Sequence, residues 1–143
     1  MSMAPADLFV ALVLVAIGGG LGSMARVWLA GLVAQRYGEG FPWGTLAVNV
    51  SGAAAIGVLA ALLLAPDGSG TIHQTVWAAL VLGLLGSYTT VSSFSLQTLA
   101  LVRTGAPGRA LANVALSLGL CLGATAAFWG ATRQALLLWG AGA

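Results

Sequence analysis

Residues 83–95 read GLLGSYTTVSSFS, a run of glycines and hydroxyl side chains in the middle of an otherwise apolar segment. This is poor material for an uninterrupted helix, because Ser and Thr offer the backbone alternative hydrogen bonds. A break here would leave carbonyl groups without partners, and in lipid each one costs several kcal/mol unless a cation, water or a neighbouring subunit binds it. A continuous helix whose hydroxyl groups bond to the preceding turn is the alternative.

The rest of the chain has the composition of a membrane protein. Of its 143 residues 59% are hydrophobic and 6% charged, and the mean hydropathy is +1.01. Soluble domains carry about 25% charged residues because their surface faces water, so this chain is expected to lie in a lipid bilayer. The basic residues form no patch for nucleic acid. One Cys and one His provide no disulfide, metal site or catalytic cluster, so we expect no enzyme.

Four apolar segments, over residues 7–33, 44–65, 75–102 and 109–132, form a single predicted domain that covers residues 1–143. Each segment reaches the ~20 residues that a helix needs to cross ~30 Å of hydrocarbon. The sequence therefore predicts an all-α membrane protein with four transmembrane helices. The first segment is expected to be retained rather than removed as a signal peptide, since its apolar pattern resumes past Arg26.

Four helices place both chain ends on one side of the membrane. Arg36, Arg103 and Arg109 lie in or beside loops on the opposite side, against Arg133 near the C-terminus, so the bias in basic residues is small. Such a protein can insert either way round, and two inverted copies would pair about a two-fold axis in the membrane plane. Pairs of small residues four apart allow helices to approach closely, within or between subunits. These pairs are Gly18 and Gly22, Gly19 and Ser23, Ala53 and Gly57, and Gly119 and Gly123.

Polar residues recur four apart in the second and fourth segments. Thr45 and Asn49 therefore face the same way. The amide of Asn49 carries two N–H donors, which suits an anion, although a hydrogen bond between helices is an equally ordinary use. In the fourth segment a polar stripe runs along one face of an apolar helix, as an ion path requires. The stripe consists of Asn113, Ser117, Cys121 and Thr125.

Charged residues near the membrane separate two kinds of transport. Asp7, Glu39 and Asp67 fall at segment ends or in loops, so no segment has a carboxylate in its interior. Coupled exporters of cationic compounds usually need one there, and its absence favours passage of a small anion. Arg26 either extends to the interface as an anchor or gathers anions at a pore mouth.

Three ordered motifs resemble the fluoride channels called Fluc or CrcB. They are GGLGSMAR at 19–26, PWGTLAVN at 42–49 and GSYTTVSSFS at 86–95, and the resemblance covers essentially the whole chain. It implies a passive fluoride-selective channel that exports cytoplasmic fluoride across the bacterial plasma (inner) membrane. It also implies a dual-topology, antiparallel homodimer with two pores, in which the third helix is broken at mid-membrane.

The resemblance also implies roles for particular residues. Backbone carbonyls of Gly86 and Thr89 would hold a structural sodium ion on the dimer axis. The residues expected along the ion pathway come from all four segments. They are Arg26, Thr45, Asn49, Thr90, Phe94, Asn113 and Ser117.

The third motif departs from the family at one position. The family usually has two phenylalanines three apart, whose positive ring edges meet the ion. Phe94 fills the second position, but Val91 stands at the first. Asn113 stands where many relatives have tyrosine, and Ser87 where glycine is common. Two other interpretations stay open: a small coupled exporter of the multidrug type, and a non-conducting scaffold subunit in which residues 86–95 are a kinked packing site.

Overall fold

The computed structural model describes residues 5–63 and 74–140, and every regular element within these ranges is a helix. The predicted turn around Asp67 lies outside them. The elements are α1 (Pro5–Tyr37), α2 (Trp43–Leu63), α3 (Gln74–Trp77), a π-helix (Ala78–Leu85), α4 (Gly86–Tyr88), α5 (Val91–Arg103) and α6 (Pro107–Gly140).

Four of the described stretches are long and apolar enough to cross a membrane: Leu8–Tyr37, Trp43–Leu63, Ala79–Arg103 and Pro107–Trp139. Large apolar side chains such as Phe9, Trp28 and Leu122 are exposed on their outer faces. A surface of this kind is stable in lipid and not in water. The prediction of an all-α, multi-pass membrane protein with four spanning helices is confirmed.

Glycines end two of the helices. Gly38 has a φ of +77°, which residues other than glycine rarely adopt, and its N–H donates to the Ala34 carbonyl at 2.8 Å. Gly105, with a φ of +78°, follows α5 and its N–H donates to the Val102 carbonyl at 3.1 Å, and Pro107 then begins α6. Helix α6 continues past the predicted end at Thr132, because good helix formers follow as far as Gly140.

Helix α2 is central and packs most extensively on α6, while α1 packs on the π-helix and α4. Small residues make both contacts close. A methyl group on Gly18 would lie 2.8 Å from the Ala79 carbonyl oxygen, and one on Gly57 would lie 2.5 Å from that of Thr125. By contrast, Gly119 and Gly123 are exposed, and added methyl groups there would meet no described atom within 4 Å. The predicted small-residue pairs therefore divide between the interior and the outer surface of the subunit.

Helical hydrogen bonding is interrupted between α4 and α5. Thr89 and Thr90 are extended, with φ/ψ of −78°/160° and −151°/119°. Thr90 caps α5, because its Oγ1 accepts a hydrogen bond from the Ser93 N–H at 3.2 Å. On the other side of the interruption, the Gly86 N–H still donates to the Val81 carbonyl in the wider π pattern. Segments of π-helix are rare and often accompany functional sites.

Candidate functional site

Asn49 on α2 binds the interrupted backbone. Its Nδ2 donates to the Thr90 carbonyl at 2.9 Å, and its Oδ1 accepts from the Thr90 N–H at 2.8 Å. The amide group thus replaces the Gly86 carbonyl as partner of the Thr90 N–H and adds a second bond at the Thr90 carbonyl, and unpaired backbone groups are costly in lipid. An asparagine amide has two N–H donors, so one remains beyond the bond to Thr90. The structure shows that Asn49 makes a hydrogen bond between helices. Its second N–H is still available as a donor to an anion.

This arrangement has a consequence for two neighbouring carbonyl groups. The Thr90 N–H would donate to the Gly86 carbonyl in a continuous helix, but Asn49 accepts it instead. Turns, loops and helix caps also contain backbone hydrogen bonds. Within residues 5–63 and 74–140, none of these bonds ends on the carbonyl of Gly86 or Thr89. The Leu85 carbonyl, by comparison, accepts from both the N–H and the hydroxyl of Thr89, each at 3.0 Å.

A cleft of about 480 Å³ opens beside the interruption. It brings together four of the residues expected along the ion pathway, from three parts of the fold: Asn49 on α2, Thr90 and Phe94 at the start of α5, and Ser117 on α6. Gly86 and Thr89 also line it. The other lining residues are Gly52, Ala53, Ile56, Val81, Leu85, Val91, Leu118, Cys121 and Leu122.

Gly52 allows the cleft wall to form. A methyl group at this position would overlap the Cγ2 atom of Thr89 and lie 3.3 Å from Cδ1 of Tyr88. The backbone of α2 therefore approaches the interruption closely only because residue 52 has no side chain. At the adjacent residue, the Ser51 and Tyr88 hydroxyl groups share a hydrogen bond of 2.7 Å, which ties α2 to α4.

The polar stripe on α6 separates into two groups. Ser117 and Cys121 line the cleft. Asn113 is only 2% exposed and donates from Nδ2 to the Thr98 hydroxyl at 2.8 Å, and Thr125 donates to the Ala53 carbonyl at 3.0 Å. Thr98 is not among the residues predicted from sequence, although its position four residues after Phe94 places both on one helical face.

A second cavity of about 870 Å³ lies near the loops that follow α1 and α5. Its lining includes the buried Thr45 and also Gln97, whose Oε1 is buried without a partner in the described part of the chain. Arg109 also lines it and donates to the Gly40 carbonyl at 3.3 Å. Gln97 was not singled out from sequence either, although it is a polar amide within the third apolar segment. Arg26 is half-buried on α1 and belongs to the lining of neither cavity.

The described cleft lining offers donors and carries no charged side chain. The Asn49 amide and the Ser117 hydroxyl are N–H and O–H donors, and an aromatic ring such as that of Phe94 carries positive partial charge at its edge. Val91 stands at the rim, 77% exposed, and contributes no ring. Such a lining is suited to bind a small anion, since no carboxylate repels it.

The sequence matches the family described as "CrcB-like protein, Camphor Resistance (CrcB)" over residues 13–131. Two relatives are named fluoride-specific ion channel FluC 2. The one from Bradyrhizobium diazoefficiens is 54% identical over 110 residues, which cover 77% of this chain and 80% of the relative. The one from Rhodopseudomonas palustris is 54% identical over 123 residues, or 85% and 92% of the two chains. A fluoride-specific ion channel FluC from Opitutus terrae is 56% identical over 108 residues, or 76% and 81%. The names of these relatives describe ion channels and not enzymes. Because the family match spans most of the chain, the protein belongs to the CrcB family.

Proposed function

We propose that this protein is a passive, fluoride-selective ion channel that exports cytoplasmic fluoride across the bacterial plasma (inner) membrane. The observation that carries the proposal is the cleft in which Asn49, Phe94 and Ser117 meet without a charged side chain. The names of the relatives agree with it.

Fluoride is small and strongly hydrated, so a selective path must replace its water with converging donors. The remaining N–H of Asn49, the Ser117 hydroxyl and the Phe94 ring edge are the donors proposed for this task. The N-terminus of α5 reaches the same cleft, and the positive end of its helix dipole favours an anion there. Thr90 completes this wall, with its hydroxyl already bonded to Ser93 at 3.1 Å.

The path is proposed to continue beyond the cleft. Thr45 lines the second cavity, near the loops, where Arg109 and Glu39 place opposite charges on the wall. Arg26 would add positive potential from α1 without contacting the ion, which raises the local concentration of anions. Passive flow driven by an inside-negative potential then moves fluoride outward.

The working unit in this proposal is an antiparallel homodimer with dual topology and two pores. The cleft lies on the outer surface of the subunit, and its rim residue Val91 would otherwise face lipid. The exposed Gly119 and Gly123 on α6 are adjacent to the cleft residues Leu118 and Leu122, so a second copy can approach closely. An inverted copy would enclose both clefts related by the two-fold axis.

A structural sodium ion at the dimer axis fits the residues present. The carbonyls of Gly86 and Thr89, which accept no backbone bond outside the regular helices in the described chain, are the proposed ligands. When bound, sodium would supply the positive charge that these carbonyl dipoles require in lipid. Asn49 accepts the hydrogen bond of the Thr90 N–H, so that this N–H does not donate to the Gly86 carbonyl.

The decisive experiment is efflux from liposomes that contain only the purified protein. With a potassium gradient clamped by valinomycin, a fluoride electrode should record rapid fluoride release, and a chloride electrode should record almost none. Protein-free liposomes are the control. Equal leakage of both anions, or no leakage of either, would contradict a fluoride-selective channel, and the second result would favour a scaffold subunit.

A further inference from the structure

The cleft-facing turn of α5 is held by asparagines from two different helices. Asn49 on α2 binds the backbone of Thr90, at the start of α5. Asn113 on α6 binds the hydroxyl of Thr98, two turns further along. Phe94, the aromatic residue in the described cleft lining, lies midway between these two attachments.

The attachment at Thr98 has a defined direction. The Nδ2 of Asn113 can only donate, so the Thr98 Oγ1 accepts that bond, at 2.8 Å. The Thr98 hydroxyl hydrogen is then free to donate to the Phe94 carbonyl, and it does so at 2.7 Å. The two bonds form a relay from α6 to the backbone of the residue that presents its ring to the cleft.

The burial of Asn113 favours this role over direct contact with an ion. Its side chain is 2% exposed and is absent from the described linings of both cavities, and one of its donors is already engaged by Thr98. Four residues along the same helix, Ser117 does reach the cleft. The two residues of the polar stripe therefore differ in what they can touch.

We infer, on the basis of the proposed fluoride pathway, that Asn113 and Thr98 are positioning residues for Phe94. Neither side chain contacts the ion. Together they fix the position of the Phe94 backbone relative to α6, so that the ring edge and the Ser117 hydroxyl face the same space. Without the relay, α5 would keep its cap at Thr90 but lose its polar attachment to α6.

The test uses paired substitutions of one residue. Thr98→Val keeps the shape of the side chain and removes both hydrogen bonds, whereas Thr98→Ser keeps both. Thr132→Val is the matched control, because it makes the same change on α6 at a half-buried residue that lines neither cavity and bonds through its hydroxyl to no other described residue.

Fluoride efflux from liposomes should fall about fivefold in Thr98→Val, the size expected for loss of a bond between membrane helices, and stay near wild type in Thr98→Ser and Thr132→Val. Adding Asn113→Leu to Thr98→Val should lower efflux no further, because both changes remove the same relay. Equal rates for Thr98→Val and Thr98→Ser would overturn the inference, as would additive losses.

A second measurement does not depend on conduction. With para-fluorophenylalanine at position 94, the fluorine NMR signal should move in Thr98→Val and not in Thr98→Ser or Thr132→Val. A loss of efflux with an unmoved signal would place Thr98 in the pathway itself and overturn the positioning role. If the wild-type protein conducts no fluoride, the proposed function fails, and the fluorine signal alone decides whether the relay positions residue 94.

Discussion

The amide group of Asn49 binds the backbone of Thr90 at both polar atoms, through Oδ1 and through one hydrogen of Nδ2. A membrane helix that stops and restarts needs such a partner, because no water is available to satisfy the exposed peptide groups. The remaining hydrogen of Nδ2 is the donor that the proposed pathway uses. In this proposal, a single side chain combines support of the backbone with binding of the ion.

Asn49→Asp should lower fluoride efflux by more than about tenfold. The carboxylate keeps an acceptor for the Thr90 N–H, but it loses both donors and places a negative charge in the cleft. Gln134→Glu, the same change from neutral amide to acid on the exposed face of α6, should leave efflux unchanged. Fluoride-electrode recordings on matched liposomes provide the comparison, and an unaltered rate for Asn49→Asp would remove this residue from the pathway.

At the scale of helices, the wall of the cleft depends on how closely α2 approaches the α4–α5 junction. Gly52 sets this distance, because its backbone lies against the Thr89 methyl group and the Tyr88 ring. Interiors packed this tightly do not absorb an extra methyl group without shifts of the backbone.

Gly52→Ala should therefore lower the thermal unfolding midpoint of the purified protein in detergent, with a destabilisation of about 1–3 kcal/mol. Gly20→Ala on α1 is the matched control. A methyl group there meets no described atom within 4 Å, so only the better helix propensity of alanine acts, and the midpoint should stay equal or rise. A Gly52→Ala protein as stable as Gly20→Ala would show that the approach of α2 is not limited by this contact.

Much of this arrangement follows from sequence. Apolar length predicts the four helices, and helical spacing predicts that Thr45 and Asn49 share a face. The convergence of Asn49, Thr90, Phe94 and Ser117 follows from the family resemblance, and the cleft contains all four.

Other features depend on contacts that spacing cannot give. Hydroxyl content suggests a break near residues 86–95, but only the bonds from Asn49 define Thr90 as the residue held there. The stripe on α6 does not distinguish Ser117, which reaches the cleft, from Asn113, which turns toward Thr98. The π-helix over Ala78–Leu85 has no sequence signature, since its eight residues are apolar or glycine and suit any buried helix.

For the whole molecule, the proposed dimer requires that copies insert in both orientations. A Cys121→Ser, Gly108→Cys variant carries one thiol at the exposed start of α6. An impermeant maleimide added to intact cells stripped of the outer membrane should label about half of these thiols, and the remainder only after lysis, as expected for two copies related by an in-plane axis. Labelling of all thiols, or of none, before lysis would show a single orientation.

The proposed sodium ion is also a property of the assembly, because carbonyls from both copies would hold it. Exchanging sodium for N-methylglucamine throughout purification and reconstitution should abolish most fluoride efflux, and returning sodium should restore it. A control for ionic strength varies the concentration of N-methylglucamine chloride while sodium stays present. Full efflux in the thorough absence of sodium would exclude a required ion at Gly86 and Thr89.

Helix α6 has 34 residues and is about 51 Å long, compared with a hydrocarbon thickness of about 30 Å. Tilting it fully into the hydrocarbon would need an angle beyond the roughly 40° seen for membrane helices, so part of it extends past the acyl chains. Its last turns carry the exposed Leu138 and Trp139, which suit the headgroup layer. A thicker bilayer would bury a greater length of α6 in hydrocarbon than a thin one. Lipid chain length is therefore expected to influence in which membrane regions the protein accumulates.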